Sequence, residues 1–222
     1  MTERTAISQK MRDHYEAVWQ GGDAWSLESS EFERRRYEHL LTLVGGRRYR
    51  CALEIGCGSG RFTRLLAGVA ERVLGLDVAP AAIERARVQT AGAGPGVIQL
   101  RAADIMEYDL NAEGPWDLVV LSETVYCLGW LYSFFDVAWL ARRLLGATSP
   151  GGRLLLSNTY GQRGKDWLLQ PWLIDTYRDL FRNVGYRLES EDVFRGAKEG
   201  VPFEILVSLF EKPSAREPAA RS

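Results

Sequence analysis

The run Leu53-Glu54-Ile55-Gly56-Cys57-Gly58-Ser59-Gly60 constrains this chain more than any other eight residues in it. The apolar stretch Cys51–Ile55 has the length of a buried strand, and it gives way to glycines at alternate positions. Behind them Phe62, Leu65, Leu66 and Val69 recur at helical spacing. Strand, glycine turn and helix in that order open a parallel α/β unit, whose ligand crevice lies at the carboxyl ends of the strands. Glycine lets the backbone turn left-handed and approach a ligand with no Cβ in the way. The dinucleotide fingerprint G-x-G-x-x-G is not met, because Arg61 occupies the place of its last glycine. Glu54, two residues before Gly56, repels a pyrophosphate and suits a cationic ligand.

The rest of the chain continues the alternation. Val73–Leu76, Val97–Leu100, Leu118–Leu121 and Arg153–Leu156 read as further strands. Helices are expected after Pro80, from Tyr132 to Leu145 and from Asp166 to Val184. Tyr186–Val193 and Phe203–Phe210 have no helix between them and are expected to pair antiparallel. Ahead of this core, a polar helix from Thr5 to Gln20 stops at Gly21-Gly22. Ser30 and Glu33 have the spacing of a capping box, and Tyr37, Leu40, Leu41 and Val44 form one helical stripe behind it. These patterns divide the chain into an N-terminal helical cap at 1–46, a core at 47–212 and an unstructured tail at 213–222.

Composition excludes several classes. With 46% apolar and 26% charged residues in 222, one globular domain can bury its own core. No apolar run approaches the ~20 residues of a membrane span, and the polar N-terminus argues against a secretory signal, so a cytoplasmic protein is expected. A formal net charge of −1 speaks against a nucleic-acid surface. Cys51, Cys57 and Cys127 form no C-x-x-C, so no metal site is expected.

Two further acids follow strand ends. Asp77 closes the second strand, where a carboxylate can accept both hydroxyls of a ribose. Asp104 follows the third, placed to meet an adenine amino group, with Val78 and Ile105 on either side of the base. Either acid alone reads equally well as a loop former or helix cap. Three acids at successive strand ends beside a glycine turn form a nucleoside-binding pattern.

This set, with Trp116-Asp117-Leu118-Val119-Val120 and Pro150-Gly151-Gly152, resembles the class I S-adenosylmethionine-dependent methyltransferases over about 49–212. The resemblance implies a single Rossmann-like α/β domain with a seven-stranded, mostly parallel sheet whose last strand is antiparallel. Helices would cover both faces and an N-terminal helical lid the crevice. A narrower resemblance runs through Ala24-Trp25-Ser26-Leu27-Glu28-Ser29-Ser30-Glu31-Phe32-Glu33-Arg34-Arg35-Arg36 and Ser122-Glu123-Thr124-Val125-Tyr126-Cys127-Leu128. These segments are similar to the rhizobial nodulation N-methyltransferase (NodS-like) family, which methylates the free amine of a chitooligosaccharide's terminal glucosamine. Cys127 stands where those relatives tend to have a second tyrosine.

The resemblance implies S-adenosylmethionine as cofactor, bound by Trp25, Arg36, Glu54, Gly56, Gly58, Ser59, Gly60, Asp77, Val78, Asp104, Ile105 and Ser122. Methyl transfer from a sulfonium is an in-line displacement, so alignment and exclusion of water are the enzyme's main tasks. An amine acceptor must be neutral to attack, and Glu123, at the end of the fourth strand, is the candidate to take its proton, with Tyr126 one helical turn on. Glu123 can equally orient the acceptor or cap the next helix. His14, Tyr15, Tyr126 and Tyr160 are the candidate acceptor contacts, since aromatic faces suit a sugar ring or a cationic amine. The expected acceptor is a small molecule, an amino sugar or related amine. A natural-product hydroxyl is the alternative, an NAD-dependent oxidoreductase is disfavoured by Arg61, and a domain that binds the cofactor without turnover is a third reading.

Overall fold

The computed structural model describes residues 3–93, 97–161 and 167–214. After α1 (Glu3–Gln20) and α2 (Glu31–Val44), strands and helices alternate: β1 (Tyr49–Ile55), α3 (Arg61–Leu66), β2 (Ala70–Asp77), α4 (Pro80–Thr90) and β3 (Ile98–Ala102). Then come β4 (Trp116–Ser122), α5 (Val125–Leu131), α6 (Phe134–Ala147), β5 (Thr148–Thr159), α7 (Pro171–Val184), β6 (Arg187–Lys198) and β7 (Val201–Glu211). The seven strands form one sheet in the order β3-β2-β1-β4-β5-β7-β6. β7 runs antiparallel to both neighbours and the other pairings are parallel. The strand order reverses between β1 and β4, which opens the crevice where folds of this kind bind ligands.

Each central strand is apolar along its length because helices cover both faces. On one face Leu53, Leu74, Val119 and Leu154 pack with α6 and α7 through Leu140, Leu144, Tyr177 and Phe181. On the other, Ala52, Val73, Leu118 and Leu155 meet Tyr37, Leu40, Val44 and Phe62. The expected stripe of α2 is thus part of the core, with Leu40 and Val44 fully buried and Leu41 half-buried. α1 buries less, chiefly Met11 and Trp19, and lies against α4.

Several expectations need correction. The capping box at Ser30 is not made, because Ser30 forms no side-chain cap bond and Glu33 turns to Arg36 and Lys198 instead. A capping box does form at Ser133 and Asp136. There the single helix expected over Tyr132–Leu145 is instead preceded by a separate α5, with extended backbone at Tyr132 and Ser133 between the two helices. The helix expected from Asp166 starts at Pro171, whose fixed φ suits a first turn, after a short 3-10 turn at Trp167–Leu169. α3 ends at Leu66, so Val69 leads into β2 rather than completing the helix. Of the expected tail, 215–222 lie outside the described residues. No helix among the described residues is long and apolar enough to cross a membrane.

Candidate functional site

A cavity of about 760 Å³ opens at the carboxyl ends of β1, β2 and β4. Of the residues singled out from the sequence, His14, Tyr15, Trp25, Arg36, Glu54, Gly56, Gly58, Asp77, Val78, Asp104, Ile105, Ser122, Glu123 and Tyr126 all line it. They come from α1, α2, the turn at Trp25, four strand ends and the first turn of α5, so the fold alone brings them together. Ser59, Gly60 and Tyr160 do not line it. Ser59 is buried behind the glycine turn. Gly60, at φ +78°, starts α3 against Ala86 of α4. Tyr160 turns away because Asp175 of α7 accepts its hydroxyl at 3.2 Å.

The glycine turn is a cradle with little spare room. Gly56 and Gly58 both have positive φ. A Cβ at Gly56 would collide with Thr124 Oγ1, and one at Gly58 would lie 2.9 Å from the Trp19 ring. Asp77 is tied to this turn, its Oδ2 accepting from Gly58 N–H at 3.0 Å and its Oδ1 from Ala79 N–H at 3.0 Å. Burial nevertheless pushes its carboxyl up to about 6. Glu54 accepts from the Thr63 hydroxyl. Burial raises it to about 8, against opposing pulls from that bond and from Arg36. Asp104 accepts from Met106 N–H at 2.9 Å and from the Tyr132 hydroxyl at 2.8 Å. Each of its oxygens keeps a lone pair for a further donor.

Glu123 stands at the end of β4 with φ +55°, a conformation uncommon outside glycine. Its backbone N–H is held by Ser157 O at 2.7 Å. Its Oε2 accepts from Tyr126 at 2.9 Å and Thr159 at 2.7 Å. Its Oε1 is buried with no hydrogen-bond partner. Burial raises the carboxyl above its ordinary value, opposed first by the Arg36 charge. Arg36 is buried, donating from Nε to Glu33 and from Nη1 to Ser122, each at 2.7 Å. Tyr15 and Cys127 interact beside Glu123, and burial drives the Cys127 thiol up to about 12.

One wall of the cavity was not disclosed by short-range sequence patterns. Lys198, Glu199, Val201, Phe203 and Ile205 of the β6–β7 hairpin line the cavity, as do Thr124, Thr159 and Leu168. Glu33 lines it too, although its spacing from Ser30 read as a cap. The lining therefore carries six carboxylates, Glu33, Glu54, Asp77, Asp104, Glu123 and Glu199, against the cations Arg36 and Lys198, both paired with Glu33.

The fold and the cradle at its switch point define the class I methyltransferase architecture. The model of the Nodulation protein S (NodS) family matches residues 8–134, more than half of the chain, and the chain belongs to that family. Nodulation protein S of Rhizobium tropici is 30% identical over 162 residues, 71% of this chain and 65% of the relative, so the chain spans just under two thirds of that protein's length. The N-methyltransferase NodS from Bradyrhizobium japonicum WM9, solved in complex with S-adenosyl-L-homocysteine, superposes with a TM-score of 0.75 at 23% identity, covering 92% of this chain and 99% of that one. A ubiquinone biosynthesis O-methyltransferase from Xanthomonas euvesicatoria is 31% identical over 117 residues, 53% of this chain and 44% of the relative.

Proposed function

We propose that this protein is an S-adenosylmethionine-dependent N-methyltransferase acting on a small amine, such as an amino sugar. The observation that carries the reading is Glu123 Oε1, a buried carboxylate oxygen without a partner in a cavity that also holds the glycine cradle and three strand-end acids. S-adenosylmethionine supplies an electrophilic methyl group when bound. Asp77 suits its ribose hydroxyls, Asp104 with Val78 and Ile105 its adenine, and Glu54 and Arg36 the charged ends of its methionine portion. The cavity's volume is that of an ordinary small-ligand pocket.

Glu123 and Tyr126 act on the acceptor. An ammonium group offered to Oε1 satisfies that oxygen and can release its proton there, leaving the neutral amine that attack requires. Burial, by raising the carboxyl, makes Glu123 a stronger base than an exposed glutamate. The excess of carboxylates in the lining favours a cationic acceptor over a phosphorylated or carboxylated one. His14 and Tyr15 on α1 extend the acceptor side with aromatic faces, and we assign α1 and residues 21–30 the role of a lid, since α2 is built into the core. A cytoplasmic setting suits the three free cysteines. Transfer to a hydroxyl is the second reading, favoured by the similarity to the O-methyltransferase.

Calorimetric titration with S-adenosylhomocysteine, with NAD as control, tests the cofactor. Micromolar binding of the former alone is expected; no binding in folded protein would reject the assignment. Methyl transfer to a glucosamine-terminated oligosaccharide against a catechol then separates the amine from the hydroxyl reading.

A further inference from the structure

The four non-glycine residues with left-handed backbone among those described are Trp25, Ser26, Glu123 and Glu199, and all four line the same cavity. Side chains other than glycine, asparagine and aspartate seldom accept that conformation, and where they do the surroundings must hold them there. Glu123 is held by Ser157, Tyr126 and Thr159. Of the other three, Ser26 and Glu199 are joined to each other and Trp25 to Lys198, each across 173 residues of sequence.

The meeting point is the tip of the β6–β7 hairpin. Lys198 pairs with Val201, and between them Glu199 at φ +52° and Gly200 at φ +77° provide the two left-handed residues of a tight hairpin turn. Glycine, asparagine or aspartate is the usual first residue of such a turn, so Glu199 is a locally poor choice. Its carboxylate accepts from the Ser26 hydroxyl at 3.4 Å. Lys198 reaches the neighbouring residue of the same turn. Its Nζ donates to the backbone carbonyl of Trp25 and, at 2.7 Å, to Glu33 Oε1, and its side chain is only 13% exposed. Glu33 spends its other oxygen on Arg36 Nε. Closer to the sheet, the absence of a Cβ at Gly196 lets β6 lie directly against Phe32, at the start of the helix that carries Glu33 and Arg36.

We propose that Lys198 is a positioning residue for the cofactor: a single ammonium that clasps the strained Trp25 turn and, through Glu33, sets the Arg36 guanidinium. The inference rests on the reading of Trp25 and Arg36 as cofactor contacts. It gives the hairpin beyond the family-matched segment a share in building the cofactor site. Loss of the ammonium leaves the Trp25 carbonyl and a buried Glu33 oxygen without their donor, and Arg36 is then free to follow Glu33. Loss of a charge-assisted bond of this kind corresponds to about a tenfold to hundredfold change in an equilibrium constant.

The test is Lys198→Met, with Lys198→Arg as the conservative variant. Titrated with S-adenosylhomocysteine, K198M should bind about tenfold or more weakly than the wild type and K198R should recover most of the loss. In turnover the defect should fall on KM for the cofactor rather than on kcat. Acrylamide quenching of tryptophan fluorescence in the ligand-free protein should change in K198M, and the change should vanish in a Trp25→Phe background, because Trp25, already half exposed, is no longer held in place through its carbonyl. A K198M that melts lower yet binds with wild-type affinity and quenching would make Lys198 a purely structural contact and overturn the proposal. If K198M fails to fold, Ser26→Ala, which cuts only the bond to Glu199, must show the same quenching change and a weaker affinity loss; an unaltered S26A would overturn it equally. Absence of binding by the wild type would instead reject the cofactor assignment, so the two failures are distinguishable.

Discussion

At Glu123 a carboxylate is half satisfied, one oxygen accepting from Tyr126 and Thr159 and the other buried and bare. An unpaired buried acceptor costs about 1–3 kcal/mol, a cost that recurs at sites completed by a ligand. Glu123→Gln separates holding from proton transfer, since the amide oxygen can still accept from Tyr126 and Thr159 while the amide nitrogen cannot take a proton. Turnover should fall by about 10²-fold or more, with affinity for S-adenosylhomocysteine nearly unchanged, in single-turnover assays and calorimetry. Full activity of the variant from pH 6 to 9 would leave Glu123 as a clamp for its two neighbours. The residues whose place could be read from sequence at this scale were those at a strand end: Glu54, Asp77, Asp104 and Glu123 all reach the cavity. Tyr160 follows a strand end too, yet a helix fifteen residues on supplies Asp175 and removes it. Glu33 failed as a cap for a similar reason, because its ion pair with Lys198 lies 165 residues away and no local spacing announces it.

The elements that sequence patterns located well were those dominated by burial. β1, β2 and β4 are short apolar runs with a turn signal at the end, and the alternation with helices fixes the parallel pairing. Boundaries failed where two signals overlapped: Tyr132 and Ser133 sit in a long apolar stretch, so the break between α5 and α6 is visible only through the Ser133–Asp136 box. The glycine turn shows how two neighbouring glycines serve different elements. Gly58 faces the cavity and the Trp19 ring, whereas Gly60 faces α4, where a Cβ would lie 2.9 Å from Ala86 Cβ and 3.0 Å from its Cα. Gly60→Ala should therefore cost stability, about 2–4 kcal/mol from left-handed strain and the clash of α3 on α4. Affinity for S-adenosylhomocysteine in the folded fraction should stay within about twofold. Gly58→Ala should show the reverse balance, weakening binding more than it lowers the thermal midpoint. Equal binding losses in the two variants would mean that the turn acts as one rigid unit.

For the whole molecule, the gathering of acids at one crevice predicts an unusual pH response. Glu54 is raised from its ordinary 4.5 to about 8 and Asp77 from 3.8 to about 6, both chiefly by burial, and Glu123 is shifted in the same direction. Between the ordinary and the raised values the folded chain holds more protons than the unfolded chain, so stability falls as pH rises through that window. The contribution of these groups is complete below about pH 4 and is lost progressively up to about pH 8. Asp117 and Asp179 are lowered, and their stabilising share is already gained by pH 5. The thermal midpoint of the ligand-free protein should therefore decline from pH 5 to pH 8, where many proteins are near their plateau. Saturating S-adenosylhomocysteine should flatten the decline, because its amino group and ribose hydroxyls supply the partners that favour the ionised carboxylates. Glu54→Gln should remove the upper part of the slope, between about pH 6 and 8, and leave the lower part to Asp77. A midpoint that rises across this range without ligand would mean that water reaches these carboxylates and keeps them ionised, and the crevice would then be an open cleft rather than a site closed by α1 and the Trp25 turn.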